Sequence, residues 1–368
     1  MGQTINLASK YATKVAERFK ETSFTDGAFN KDYEFTGVKT VKVYSINTAP
    51  LGDYTRSGTS RYGTPEDLGD TVQELVMSQD KSFTFIIDKG NTGEQMNTKA
   101  AGRALRREID EVINPYVDKY RLGVWTKWAG KVAGIAEPTR ETIVEAIMDG
   151  VLYLDNHLVP GDQREIRIAA SYYKLLKTCP DFSPMDRVSE KAIIKGQVGE
   201  IDGMRVIKIP DSYMPQGVYF LITHKSACLS PMKLQDYKVH KDPPGISGDL
   251  AEGRIIFDAF VLASRADGIY AAVQSDLVTG DVTLTPATGG TVNPGTTKIV
   301  MTSATSGAPI YYTIDGTDPR FSANAILYTG STTGIDTTGW SEDTTVKAYA
   351  VDNGKYASGV AEAVYHLA

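Results

Sequence analysis

The sequence predicts a mixed α+β body over residues 1–274, followed over 275–368 by an all-β sandwich. Three observations carry this. The residues from Ser275 to Ala368 hold 18 Thr, 7 Ser and 11 Gly, unlike the helix-forming mixture before them. Charge steps at the same place: four basic residues (Lys298, Arg320, Lys347, Lys355) face nine acidic ones after Gln274, a net of −5, while 35 basic and 36 acidic residues leave the rest near neutral. Helical stripes interleave with strand-like runs only in the first part, the order of an α+β fold and not of a regular βαβ sheet. A chain of 368 residues is also long enough for two or three domains.

Taken in order, Val15 and Phe19 recur at helical spacing near the N-terminus. Two strand-like runs follow, about Val38–Ile46 and Val72–Ile87, separated by Asn47–Thr71 with four Gly, two Pro and seven Ser or Thr. A connection this long without a core of its own is uncommon inside a compact domain. It reads as a two-stranded flap, and a lone hairpin is marginal in water, so the flap needs a neighbour to lie on. Lys99 to Leu122 carries a helical stripe (Ala101, Leu105, Ile109, Val112, Ile113, Tyr116, Val117, Tyr120). Pro115 predicts a kink there, or a restart with Asn114 as N-cap. A second helix is expected from Thr139, behind Pro138, to about His157. Strands are expected at Glu165–Ala169, Met204–Ile209, Val218–Thr223 and Arg254–Ala263, with Asp202-Gly203 as a hairpin turn after Gly199–Ile201.

Beyond Gln274, short apolar runs at 282–286, 298–303, 309–314, 346–351 and 362–367 alternate with Gly, Thr, Asp and Pro clusters. That spacing is what an antiparallel sandwich of about seven strands gives. Asp315-Gly316 and Asp318-Pro319 read as turn residues.

No catalytic constellation stands out. There is no G-x-x-x-x-G-K-[ST], G-x-S-x-G, H-E-x-x-H or strand-to-helix G-x-G-x-x-G. The histidines (His157, His224, His240, His366) share no ligand spacing, and two cysteines, Cys179 and Cys228, make neither a disulfide scaffold nor a four-cysteine metal site. His224 and Cys228 sit four apart, which reads as a buried small hydrophobe beside a histidine sooner than as a nucleophile pair. Arg103, Arg106 and Arg107 read as a solvated helix face. No enzyme activity, metal or cofactor is expected. No apolar stretch approaches the roughly 18 residues of a membrane helix. The first twenty residues lack an apolar h-region, so no secretory leader is expected. A formal charge of −6 argues against a dedicated nucleic-acid reader.

Several segments together carry a family resemblance: YATKVAERF, TGVKTVKVYSI, DYTRSGTSRYGTPEDLG, GRALRREIDEVINPYVDKYR, VGEIDGMRVIKIP and FDAFVLASRADGIYAAV. Over residues 1–274 the chain resembles the major capsid protein of tailed bacteriophages. The resemblance implies an N-terminal arm over 1–35, an extended loop over 36–95, a peripheral domain with its spine helix over 96–135 and 251–274, and an axial domain over 136–250. It also implies self-assembly as hexamers and pentamers into an icosahedral head around double-stranded DNA, formed in the bacterial host cytoplasm, with a portal, decoration proteins and no membrane. The arm begins almost at Met1, so a separate scaffold protein is expected. No lysine occurs between Lys42 and Lys81, so the covalent crosslink of one branch of the family is not expected.

GAPIYYTIDGTDP and TTVKAYAVDNGKYAS resemble the immunoglobulin-like domain at the C-terminus of chitobiase and β-hexosaminidase enzymes, a non-catalytic appendage. This implies an outward-facing accessory domain over 275–368. Its aromatic residues, with Trp340 and Tyr328 foremost, are candidates for stacking on sugars. Candidates for inter-subunit contact are Tyr54, Arg56, Arg61 and Tyr62 in the flap and Val15 and Phe19 in the arm. The competing readings are a glycan-binding adhesin led by the C-terminal part and a tail-tube subunit.

Overall fold

A computed structural model describes residues 23–33, 40–46, 53–57, 59, 61–62, 70–88, 101–179, 197–330 and 334–368. Strand β1 (Thr40–Ile46) pairs antiparallel with β2 (Asp70–Val76), seven residues against seven. The second expected run is two strands, not one. It breaks at Met77-Ser78, and β3 (Gln79–Asp88) leaves the ribbon for a sheet formed later in the chain.

The long helix runs as α1 (Ala101–Glu108), a π-helical turn over Ile109–Ile113, and α2 (Asn114–Lys127). Asn114 is not an N-cap: its φ of −58° and ψ of −47° are helical. The sequence expectation of a restart therefore fails. Pro115 has no N–H to return to Glu111, and the widened π turn immediately before it absorbs that defect without ending the helix.

After β4 (Lys131–Ile135), helix α3 (Ile143–Asn156) is entered through a turn in which Thr139 N–H donates to Thr142 Oγ1 at 2.9 Å and Glu141 N–H to Thr139 Oγ1 at 3.3 Å. Ile143 N–H donates to Thr139 O, but the helix itself opens at Ile143 with Thr142 as its N-cap, three residues after the expected threonine. β5 (Arg164–Ala169), α4 (Ala170–Thr178), β6 (Gln197–Ile201), β7 (Met204–Ile209) and β8 (Val218–His224) follow. Asp202 and Gly203, at φ of 49° and 72°, close the β6–β7 hairpin, where the left-handed backbone suits Asp and Gly. Next come β9 (Cys228–Leu229), β10 (Met232–Lys241), β11 (Gly248–Phe257), β12 (Phe260–Val261) and β13 (Ile269–Gln274). The strand expected at Arg254–Ala263 is thus longer at its start and broken at Asp258, whose carboxylate is engaged elsewhere.

A six-stranded mixed sheet, β4-β13-β8-β5-β7-β6, is the centre of the body. On one face Leu122 and Trp125 of α2 pack with Leu221, Ala271 and Val273; on the other, Ile143, Ile147, Val151 and Leu154 of α3 pack with Ile166, Ile168 and Ile222. With helices on both sides, every residue of β8 is buried, which is why it reads as a near-continuous apolar run. β10, β11 and β3 form a second sheet, with Ile255 and Phe257 packed on Ile113 and Val117 of the long helix.

The C-terminal part holds β14 (Val282–Thr285), β15 (Thr291–Val292), β16 (Val300–Ser303), β17 (Ile310–Thr313), β18 (Ile326–Leu327), β19 (Thr344–Ala350) and β20 (Ala361–Leu367). They make a β14-β16 pair and a β15-β20-β19-β17-β18 sheet around a separate core that includes Leu284, Met301, Ile310, Val346 and Tyr365. β15 and β18 have two residues each, too short to leave a pattern in the sequence.

Candidate subunit-contact surface

The ribbon has one anchored face and one bare face because its side chains alternate. Val43 and Leu75, with Met77 just beyond β2, pack against Leu229, Ile256 and Leu262 of the body. On the other side Tyr44 is 64 % exposed, and Val72 and Val76 are half exposed. Midway along the connection between β1 and β2, Thr55 N–H donates to Arg61 O at 3.0 Å. Tyr54 and Tyr62 meet there edge to face, 5.0 Å between centroids, and Arg56 and Arg61 are exposed beside them. The structure therefore brings four of the expected contact residues together on one exposed turn. Val15 and Phe19 lie outside the described residues.

The root of the ribbon is held by a buried carboxylate. Asp258, 3 % exposed, accepts from Ser78 N–H at 2.6 Å, Ser78 Oγ at 3.0 Å, Tyr120 Oη at 2.8 Å and Ala259 N–H at 2.8 Å. It ties the β2–β3 break, the long helix and the β11–β12 break to one point. Burial, and then the hydrogen bond to Asp258, push the Tyr120 phenol up from its ordinary value. A second tie is Gln73, whose Nε2 donates to Val261 O at 3.0 Å and whose Oε1 accepts from Ala263 N–H at 2.9 Å.

The described N-terminal segment is fastened to the same helix. Asp118, 1 % exposed, accepts from Ser23 Oγ at 2.6 Å, Phe24 N–H at 2.9 Å and Thr25 Oγ1 at 2.5 Å. One turn on, Arg121 donates to Ser230 Oγ at 2.7 Å, Thr25 Oγ1 at 2.8 Å and Asp26 Oδ1 at 3.1 Å, and lies 4.7 Å from the Phe29 ring centroid. Burial pushes the Arg121 guanidinium down, and its carboxylate neighbours oppose that. A buried charge is tolerated only with such partners.

Sequence reasoning missed Asp118, Arg121 and Asp258. A signal existed for the last: Asp258 is the lone carboxylate in the apolar run Ile255–Leu262. Asp118 and Arg121 are masked by the helix, where charged residues three apart read as a solvated pair.

The other candidates are placed as follows. Tyr328 and Trp340 are partly buried against the C-terminal core; the Tyr328 hydroxyl donates to Gly330 O at 2.5 Å and accepts from Met301 N–H at 3.3 Å. Asp315 accepts from Thr317 N–H at 3.0 Å and shapes its own turn. His224 Nδ1 meets Ser226 Oγ at 2.7 Å, and the fully buried Cys228 thiol is pushed up to about 12 by burial. Among the described residues no group of three or more His, Cys, Asp or Glu is arranged to hold a metal, and no helix is long and apolar enough to cross a membrane.

Residues 286–362 match the chitobiase/beta-hexosaminidase C-terminal domain family. No curated protein matches the sequence. By structure, the chain is similar to one from Mycobacterium phage Che8, with a TM-score of 0.58 and 17 % identity over 72 % of this chain and 96 % of that one. It is also similar to the capsid structure of the cyanophage P-SCSP1u (TM-score 0.58, 13 % identity, 73 % and 92 % covered). A third likeness is to the asymmetric unit of the bacteriophage PhiM1 mature capsid (TM-score 0.54, 11 % identity, 73 % and 92 % covered). The sheet, long helix and ribbon described above therefore carry the fold of phage capsid structures, with a C-terminal part that resembles the chitobiase/beta-hexosaminidase C-terminal domain.

Proposed function

We propose that this chain is the major capsid protein of a tailed phage, which assembles as hexamers and pentamers into an icosahedral head around double-stranded DNA. In this reading the N-terminal arm spans 1–35, the extended loop 36–95, the peripheral domain 96–135 and 251–274, and the axial domain 136–250. Residues 275–368 are an immunoglobulin-like domain on the outer surface. The observation that supports this most is a ribbon with no core of its own, anchored at Asp258 and Gln73 and exposing Tyr44, Val72 and Val76 among charged residues on its free face, on a fold like that of phage capsids.

A two-stranded ribbon is marginal by itself, so its bare face gains stability by lying on another subunit. Obligate interfaces bury roughly 2,000–5,000 Å² and resemble a core cut in two, and Tyr44, Tyr54, Tyr62, Val72 and Val76 supply apolar surface for one. Arg56 and Arg61 add charge that can pair with acidic groups on the neighbour. A near-neutral body suits a container, since tight phosphate contacts would hold packaged DNA back. A separate scaffold and a portal complete the assembly. Negative-stain microscopy of the full chain, expressed alone and with its scaffold, tests the reading: closed polyhedral shells are expected, whereas tubes or dispersed monomers would overturn it.

A further inference from the structure

We infer that the loop Asp318–Phe321 is a fixed joint that makes the C-terminal β part a buttress of the long helix and of the ribbon root. The joint centres on Arg320, whose side chain is 6 % exposed. Its guanidinium forks onto Asp318, with Nη2 to Oδ2 at 2.7 Å and Nε to Oδ1 at 3.1 Å. Nη1 points the other way and donates to Ala129 O at 2.7 Å and Gly130 O at 3.3 Å, carbonyls just past the end of α2.

The chemistry suits the place. The carbonyls after a helix have no intrahelical donor, and the C-terminal end of the helix dipole attracts a cation. The acceptors are also preorganised. Gly130 N–H donates to Ala266 O at 2.9 Å, and a Cβ on Gly130 would meet the backbone of Asp267 at 2.5 Å, so the strand entry is pinned before Arg320 arrives. Beside the ion pair, Phe321 lies 5.5 Å from Trp128 between ring centroids. Tyr356 Oη adds a further tie, donating to Gln216 O at 3.0 Å.

The joint also reaches the ribbon. Arg320 and Phe321 line a groove of about 420 Å³ that Leu75 and Val76 of β2, Tyr120 and Asp258 also line. The latch at Asp258 and the joint at Arg320 therefore share a boundary. A free appendage needs no buried arginine on its carrier. This one makes five donor contacts through such a residue, in a part of the chain with only four basic residues.

The joint lies within one chain, so its test is independent of shell assembly. Hydrogen exchange is followed in the full chain and in Arg320→Ala, Arg320→Lys and Phe321→Ala, with Glu362→Gln, an exposed carboxylate paired with Lys347, as control. In Arg320→Ala, amides over 124–130 and in β2 lose about tenfold or more protection, the scale of a charge-assisted hydrogen bond, while β19 and β5 keep theirs. Arg320→Lys, which keeps the charge and loses the fork, recovers part of it. Phe321→Ala shows the same regional pattern, and the control shows none. Unchanged protection at 124–130 and β2 in Arg320→Ala overturns the joint. A loss spread equally over β19 and β5 overturns it too, because that is general destabilisation.

Discussion

Two buried carboxylates, Asp118 and Asp258, are the residues on which the proposed contact surface turns. Each replaces water with several donors, so removing either leaves those donors buried and unpaired. Asp258→Ala is expected to lower stability by about 2–4 kcal/mol in urea unfolding, and Asp258→Asn by less, since the amide oxygen still accepts. The two thiols give a second test. Cys179 and Cys228 are buried, and Cys228 is held protonated, so neither reacts with a thiol reagent until the chain unfolds. His224 gives a third. Burial, and to a lesser degree Arg164 and Arg265, push its pKa down, while Asp162 pulls it up. The unfolded chain then binds the proton more readily. The neutral imidazole's contribution is complete above the ordinary value of about 6.5 and is lost as pH falls through the lower folded value. His224→Gln is expected to flatten stability against pH in that window; identical slopes in both proteins would refute the assignment.

At the scale of elements, the local sequence is consistent with the fold wherever one strand or helix explains itself. The β6–β7 hairpin, the body of α3 and the fully buried β8 are of this kind. The elements that differ from expectation do so through a remote partner. β2 and β3 separate at Ser78 because Asp258, 180 residues away, captures that amide. The second sheet depends on another close approach: at Gly253 a Cβ would strike the Phe83 ring at 2.3 Å and the Tyr237 ring at 2.7 Å. Gly253→Val is expected to cost about 1–3 kcal/mol and to displace β3, read as a lowered melting temperature with loss of protection along Gln79–Asp88.

For the whole molecule, folding and assembly make separable demands. The body has a two-faced core and the C-terminal part its own, so a subunit can fold while its ribbon stays bare on one side. Arg56→Ala with Arg61→Ala is therefore expected to leave the melting temperature of the isolated chain within about 2 °C, as surface substitutions do, while reducing the yield of shells in sedimentation. Normal shell yield from the double variant would remove the flap from the proposed interface. Acidity of the C-terminal part, at −5, adds repulsion between particles when it lies outside.

The sequence by itself determined the α+β order of the body, the position where its composition gives way to β strands, the exposed flap turn and the turns at Asp202-Gly203 and Asp315-Gly316. All of these rest on periodicity, composition or backbone preference, which neighbouring residues encode. The tertiary structure alone decided that Asp118, Arg121, Asp258 and Arg320 are buried anchors, and that the long helix passes Pro115 unbroken. A charged side chain looks the same in sequence whether water or the protein surrounds it. Only the arrival of donors and acceptors from distant segments makes its burial affordable, and no local pattern records that arrival.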